Sequence, residues 1–332
     1  MAAARIGIGY VMSDVERDHE IVRQLKPFRR ELLANCYRML GSVDDAEDVV
    51  QETHLRAWHA RETLDDSAAL RAWLYRIATN VCLTALEQRK RRAIPSGLGA
   101  PSDEPAGPIA IANEVDWVEP IPDALIVSEL AGPAAITAMR ESVRLAFVAS
   151  LQYLPPRQRA VLLLREVLGF SAEEIAMTFD LTPAAVKSAL QRARAALDEK
   201  MPIASEMREP AHPDAKAVLA SYMAAFEHSD ADALERLLSY DAVLEMTPAR
   251  TWFAGKTTCM PYLRLRALGT AGEWKMEPTI ANGQPAAIAY RRDDDGLHHP
   301  FGVALLVVRD RRIARISVFH GADIVKRFEA LA

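Results

Sequence analysis

"SAEEIAMTFDLTPAAVKSALQRARAAL", residues 171 to 197, holds the pattern that decides how the middle of this chain folds. Ser171 followed three positions later by Glu174 is a capping box, in which hydroxyl and carboxylate each satisfy a backbone N–H at a helix start. Ile175, Ala176 and Phe179 then share one face, and "DLT" breaks the period. Thr182 before Pro183 restarts it, as a hydroxyl N-cap and a proline at the first helical position, where the missing N–H costs nothing. Val186, Leu190, Ala193 and Leu197 form the inward stripe of the second helix. Its start and outward face present Thr182, Ala184, Lys187, Ser188, Gln191, Arg192 and Arg194, and no acid occurs from Leu181 to Leu197. Small residues at the start with cations and amides beyond suit a helix lying in the major groove, where Gln and Arg reach base edges or phosphates. Any solvated helix carries some cations, so the reading rests on caps, turn length and one-sided charge taken together.

Upstream, residues 21–92 are helical in pattern, interrupted by Gly41 and a polar break near 62–67, and predict a bundle of roughly three or four helices. Residues 1–20 lack periodicity and are expected to be disordered. Inside the bundle, Asp44, Asp45, Glu47, Asp48 and Glu52 put five acids within nine positions, with no cation between Arg38 and Arg56. Ala46, Val49, Val50 and Thr53 take the inner face, so the acids and Gln51 point outward. Like charges on one face repel unless a basic partner neutralises them, and a plain solvated acidic face is the competing reading. "EQRKRR" (87–92) ends the bundle. Residues 93–139 then hold seven acids, seven prolines and four glycines with no Lys, Arg or His, which predicts an extended acidic tether. Helical periodicity resumes over 140–200. Beyond "MPIASEMREPAHP" (201–213), helices over about 214–239 precede the strand-like "AVLEM", "AAIAYRR", "GVALLVVRD" and "IARISVFH", an α+β tail over 213–332.

With 332 residues, half of them apolar, the chain can build two or three cores. Its net charge of −5 is not that of a protein holding nucleic acid by bulk charge, so DNA binding must be local or shared with a partner. No run approaches the roughly 20 apolar residues that span a bilayer, and Asp14, Glu16, Asp18 and Glu20 crowd the start, so no membrane contact and a cytoplasmic location are expected. Cys36, Cys82 and Cys259 have no paired spacing and read as buried thiols, with no metal and no cofactor. No catalytic residue is assigned. His298, His299, His320 and Asp323 come nearest to a carboxylate–His pair, but they read first as hairpin and strand-end residues, and the chain is not expected to be an enzyme.

"FRRELLANCYRMLGSVDDAEDVVQETHLRAWHA" (28–60) with "LRAWLYRIATNVCLTALEQRKRR" (70–92) resembles region 2 of the extracytoplasmic-function sigma factors of the sigma-70 family. "LPPRQRAVLLLREVLGFSAEEIAMTFDLTPAAVKSALQRAR" (154–194) is similar to their region 4. "ESVRLAF", "DWVEPIPD" and the long tail further resemble the mycobacterial sigma factor G group, whose members end in a SnoaL-like domain. The resemblance implies a mainly α chain: a region 2 bundle (21–92), an acidic linker (93–139), a region 4 helix-turn-helix (140–200), and an α+β, cone-shaped SnoaL/NTF2-like domain (213–332). It also implies a sigma factor that binds the RNA polymerase core through its β′ and β subunits and directs promoter-specific initiation. Asp45, Asp48, Gln51 and Glu52 would dock on the core. The loop at 65–71 with Arg71, Tyr75, Arg76 and Asn80 would open the −10 element and hold an unstacked base, Arg89 and Lys90 would meet phosphate, and the helix-turn-helix would read the −35 element. The acidic linker, 112–124 above all, would thread the cationic RNA path, with Trp117 an anchor there or a clip onto the tail. Trp252, Trp274 and His320 would line a regulatory pocket in the tail, whose small-molecule ligand, or an anti-sigma factor, completes the partners. Two other readings stay open: a ligand-responsive helix-turn-helix regulator that works without polymerase, and a SnoaL-like isomerase or cyclase with a DNA-binding appendage. The acids of 44–52 and the segment 65–80 discriminate, because neither alternative needs them.

Overall fold

The computed structural model describes residues 23–60, 70–87, 89–128, 131–200 and 212–331. The expected N-terminal disorder and most of the loop at 65–71 lie outside these residues. The first bundle consists of α1 (Arg29–Leu40), α2 (Val43–His59) and α3 (Leu70–Glu87). Gly41, at φ +72°, closes α1 in the left-handed conformation that favours glycine, and its N–H returns to the Tyr37 carbonyl. One residue later the Ser42 hydroxyl accepts from Asp45 N and starts α2. Val43, Ala46, Val49, Val50, Thr53 and Ala57 form the buried stripe of α2.

The second bundle contains α4 (Pro133–Val143), α5 (Leu145–Leu151), α6 (Pro156–Leu162, continued by a π-helical turn over Leu163–Val167), α7 (Ala172–Phe179) and α8 (Pro183–Lys200). The tail adds α9 (Pro213–Glu227), α10 (Ala231–Leu237), α11 (Lys256–Tyr262) and α12 (Ala322–Glu329). Its strands are β1 (Leu238–Thr247), β2 (Trp252–Ala254), β3 (Trp274–Ala281), β4 (Gln284–Arg292), β5 (His298–Arg309) and β6 (Arg312–His320). They form one mixed sheet in the order β2-β1-β6-β5-β4-β3, in which only the β1–β6 pair is parallel. Among the described residues no helix is long and apolar enough to cross a membrane.

Both faces of this sheet are buried, which is why β4 and β5 read as continuous apolar runs rather than alternating ones. Ala287, Ala289, Ala304 and Leu306 face the tail's own helices, in a core with Phe226, Phe253 and Trp274. The alternate residues Ala286, Ile288, Tyr290, Val303 and Leu305 belong to the same core as the two helical bundles, joined by Val325 and Phe328 of α12. The tail is therefore an α+β unit whose second face is built into the rest of the molecule.

The linker differs most from its sequence reading. Its prolines keep 93–122 free of long helix, with a 3-10 turn at Pro95–Gly97 between extended stretches, but the segment is packed: Ala112, Val118 and Ile121 are wholly buried. Ala93 N donates to Asp116 O at 2.9 Å and Val118 N to Ala93 O at 2.9 Å, so the linker bridges to itself. It also bridges to the tail, where Arg250 N donates to Ala110 O at 2.7 Å and Ala112 N to Pro248 O at 2.9 Å. Its last part is not extended at all, because Pro133 initiates α4 as an N1 proline. Three of its acids find cations within the chain: Glu114 with Arg250 at 2.9 Å, Glu119 with Arg92 and Arg327 at 3.5 and 3.4 Å, Asp123 with Arg140 at 2.9 Å. The cation-free composition of 93–139 thus has partners supplied by the flanking units.

Candidate nucleic-acid interface

The helix-turn-helix has the local geometry its sequence dictates. Glu174 N donates to Ser171 Oγ at 3.1 Å and Ser171 N to Glu174 Oε2 at 2.7 Å, completing the capping box. Asp180, at φ +55°, ends α7 in the left-handed region, and the Thr182 hydroxyl accepts from Ala185 N at 3.2 Å to start α8. Val186, Leu190, Ala193 and Leu197 are buried. Thr182, Ala184, Lys187, Ser188, Gln191, Arg192 and Arg194 are all exposed and lie together. Arg192 donates to Ser188 Oγ at 2.7 Å, Arg194 pairs with Glu166, and Lys187 and Gln191 make no side-chain hydrogen bond or ion pair among the described residues. The result is an open surface of donors with one internal carboxylate at its edge.

Region 2 presents a different picture. Arg76, Asn80, Arg89 and Lys90 are exposed, as expected, whereas Tyr75 is 1% exposed and cannot meet a base in this arrangement. Its ring packs edge-on against Phe170 of the second bundle, centroids 5.6 Å apart. Burial pushes the Tyr75 hydroxyl well above its ordinary range. Arg71 lies over both rings, 5.1 Å from Tyr75 and 5.2 Å from Phe170, pairs with Glu31, and donates to Leu168 O at 3.4 Å. An apolar-flanked Tyr on a helix reads equally as pocket or core from sequence, and here a second domain supplies the cover.

The acidic face is also largely matched within the chain. Asp44 pairs with Arg327 of α12 at 2.6 Å, Glu47 with Arg29 at 3.4 Å, and Glu52 with Arg56 one turn on at 2.7 Å. Asp45, expected to face the polymerase, has a side chain only 15% exposed and pairs with Arg89 and with Arg92, the latter at 2.9 Å. The expected mutual repulsion is therefore relieved at home, by cations that except for Arg56 lie outside α2. Asp48 makes no ion pair among the described residues. It forms an outward ridge with Gln51, Glu52 and Leu55, an apolar side chain 56% exposed that sequence reading did not single out.

What sequence reading missed altogether is the hub that joins the units. The β3–β4 turn has Asn282 at φ +54° and Gly283 at φ +63°, the two left-handed residues of a type I′ hairpin. Asn282 is wholly buried: its Nδ2 donates to Tyr37 OH at 2.7 Å and Val143 O at 2.8 Å, and its Oδ1 accepts from Ile121 N at 3.0 Å. Gly283 N donates to Asp123 Oδ1 at 2.8 Å, and Tyr37 OH donates to Glu119 O at 2.7 Å. One amide side chain thus ties the first bundle, the linker, the second bundle and the tail. Burial raises the Asp123 carboxyl pKa despite the Gly283 N–H and Arg140 beside it. Two buried arginines lock the bundles to each other. Arg38 reaches Ser142 Oγ at 3.0 Å and Ser142 O at 3.2 Å. Arg159 binds Met39 O, Gln152 Oε1 at 2.7 Å and Leu154 O at 3.2 Å. Burial draws each guanidinium down to about 10. The "NG" between alternating strands was the available signal for the hairpin; nothing local marks Arg38 or Arg159 as interior.

Of the tail residues expected to share a pocket, Trp274 and His320 both touch Phe301, and Trp252 lies apart. Trp274 is core, between Phe226 and Phe301. His320 is exposed at the end of β6, edge-on to Phe301, with burial lowering its pKa. Trp252 faces the linker, its Nε1 donating to Gly99 O at 3.0 Å. Tyr222, Phe226, Phe253, Tyr262 and Trp274 fill the helix side of the cone.

Comparison with known proteins accounts for this arrangement. Residues 25–92 match the family model Sigma-70 region 2, and residues 144–197 match Sigma-70, region 4. The chain is 45% identical to the ECF RNA polymerase sigma factor SigG of Mycobacterium tuberculosis, over 94% of this chain and 84% of that protein. It is 31% identical to the ECF RNA polymerase sigma-E factor of Escherichia coli over 47% of this chain and 74% of that one. Among solved structures, the crystal structure of the Mycobacterium tuberculosis extracytoplasmic function sigma factor SigJ superposes with a TM-score of 0.59 at 21% identity, covering 92% of this chain and 98% of that one, a likeness of fold. With an exposed helix-turn-helix, an acidic ridge on α2 and a relative of this identity along nearly its whole length, the chain belongs to the extracytoplasmic-function family of RNA polymerase sigma factors of the sigma-70 type.

Proposed function

We propose that within this role the two DNA-reading surfaces work in sequence, the helix-turn-helix open from the start and region 2 freed on docking. The α8 face of Lys187, Ser188, Gln191, Arg192 and Arg194 reads the −35 element in the major groove. Asp48, Gln51 and Glu52, with Leu55 one turn further along the same ridge, dock on the polymerase core. Arg76, Asn80, Arg89 and Lys90 then meet the −10 element, together with Arg71 and Tyr75 once these leave Phe170. The tail and linker regulate the step by holding the two bundles together, and the chain acts in the cytoplasm as a specificity subunit rather than as an enzyme.

The observation that supports this reading best is the mutual pairing of Asp45 with Arg89 and Arg92. Arg89, proposed for DNA, is neutralised in the free chain by the largely buried Asp45 of the docking helix, so docking on that helix and DNA binding release Arg89 together. Run-off transcription with purified core polymerase tests it: initiation at new start sites that requires this chain supports the reading. Promoter binding by the chain alone, unchanged by polymerase, would favour the polymerase-independent regulator instead.

A further inference from the structure

The linker, the second bundle and the tail line a half-open cavity of ≈ 510 Å³ on the face of the sheet turned away from the cone. Its apolar wall comes from Ile94 and the rings of Tyr153 and Trp252, with Leu145, Ala149 and Val307. Its polar end is a pair of charged side chains on neighbouring parallel strands, Glu245 of β1 and Arg315 of β6. Glu245 is 1% exposed, and both of its oxygens are taken: Oε1 accepts from Arg315 Nη1 at 2.8 Å and Ser317 Oγ at 2.7 Å, Oε2 from Ser96 N at 3.2 Å.

The wall's donors are nearly all used. Tyr153 OH donates to Gly97 O at 2.9 Å, Trp252 Nε1 to Gly99 O at 3.0 Å, Ser150 Oγ to Phe147 O at 2.7 Å, and Gln284 Nε2 to Leu306 O at 3.4 Å. Arg315 is the exception. It engages the protein through Nη1 alone, to Glu245 and to Ser96 Oγ at 3.1 Å, leaving Nε and Nη2 without a partner among the described residues. Those two N–H groups form one edge of the guanidinium, the planar fork that receives a carboxylate in two parallel hydrogen bonds. A half-buried guanidinium with an unused edge in an otherwise satisfied, apolar chamber selects for an acceptor group on an apolar body.

We infer that this three-walled cavity is a binding site for a small carboxylic acid with an apolar chain or ring, its carboxylate on Arg315 and its body against Trp252, Tyr153 and Ile94. The site exists only while linker, second bundle and tail are together, so its occupant favours the closed arrangement. This goes beyond the role in transcription, and its test needs no polymerase. Decanoate and 1-decanol are titrated into the full chain by calorimetry, beside Arg315→Lys, which keeps a cation for Glu245 but removes the fork, and Ala146→Trp, which enters the cavity from an exposed position on α5. The expected result is one decanoate per chain, bound at least tenfold more tightly than 1-decanol and raising the melting temperature. Arg315→Lys should bring decanoate down to the level of the alcohol, and Ala146→Trp should abolish binding. Absence of saturable binding, equal binding of acid and alcohol, or undiminished binding by Ala146→Trp would each overturn the assignment.

Discussion

The two DNA-reading units of this chain are built from equally ordinary helices but differ in what covers them. On α8 the residues that suit DNA stand in solvent, and their own core lies behind them. On α3, Tyr75 is buried and Arg71 is tied to Glu31 and Leu168, by groups that belong partly to the other unit. The difference teaches that the accessibility of a binding residue is set by the assembly of domains and not by the helix that bears it. The largest effect should therefore come from undoing that assembly. Gly283 takes φ +63°, and a Cβ there would stand 2.5 Å from the Arg140 carbonyl oxygen. Gly283→Val should cost about 3 kcal/mol or more, from left-handed strain together with loss of the Asn282 hydrogen bonds. Small-angle scattering should then show a larger radius of gyration, and proteases should cut within 93–131. A particle of unchanged size and resistance would mean the hub does not hold the units together.

Phe170→Ala probes the same contrast at one ring. Removing a 6% exposed aromatic that covers Tyr75 and Arg71 should cost about 3 kcal/mol and loosen the contact between the two units. The variant should bind the single-stranded −10 non-template strand of a promoter it serves more tightly than the wild-type free chain does. Equal binding by both would show that Phe170 does not screen region 2.

Docking on polymerase separates Asp48 from Asp45, two acids that look alike in sequence. Asp48→Lys changes an exposed side chain without an ion pair among the described residues, so it should weaken association with the core by about tenfold to a hundredfold, roughly 1.4 to 2.8 kcal/mol, and leave thermal stability as it was. Asp45→Asn breaks the pairs with Arg89 and Arg92 and should lower stability instead. Surface-plasmon measurements beside melting curves decide between them, and a reversed pattern would exchange the two roles.

The caps and stripes of the helix-turn-helix, the α2 core residues and the α+β character of the tail were legible because each depends on spacing within a dozen residues. The acids of α2 were legible as acids but not as paired, since Arg327 lies 283 residues from Asp44. Tyr75 and Trp274 follow the same logic: an aromatic at helical or strand spacing is compatible with a pocket or a core, and only the incoming neighbour decides. Composition misled over 93–139 because Pro and Gly exclude helix without requiring freedom, and extended backbone can pair with a foreign strand edge as Ala110 and Ala112 do with the segment after β1.

Glu245 supplies a pH test of the junction. Burial alone would raise its carboxyl, but Arg315 and the hydrogen bonds from Ser317 and Ser96 outweigh burial and hold it below the usual 4.5. A depressed folded pKa contributes stability that is present above the unfolded value and lost as pH falls through the folded one. Melting temperature should therefore drop on acidification below about pH 4.5, and Glu245→Gln should flatten part of that fall. Identical acid limbs for both proteins would place the loss elsewhere.

The smallest expected effect returns to the open surface. If the α8 face meets DNA as the exposed half of the contrast suggests, Lys187 and Gln191 should fail differently on truncation. Lys187 offers a point charge, so Lys187→Ala should weaken binding of the polymerase complex to all −35 sequences alike and reduce the slope of log affinity against log salt by about 1. Gln191 offers a flat donor–acceptor pair, so Gln191→Ala should cost about 1 to 3 kcal/mol at one base position and leave the salt slope unchanged. Because neither side chain holds a partner among the described residues of the free chain, neither change should move the melting temperature. A salt slope altered by Gln191→Ala but not by Lys187→Ala would mean that the helix lies in the groove turned about its axis from the orientation its buried stripe dictates.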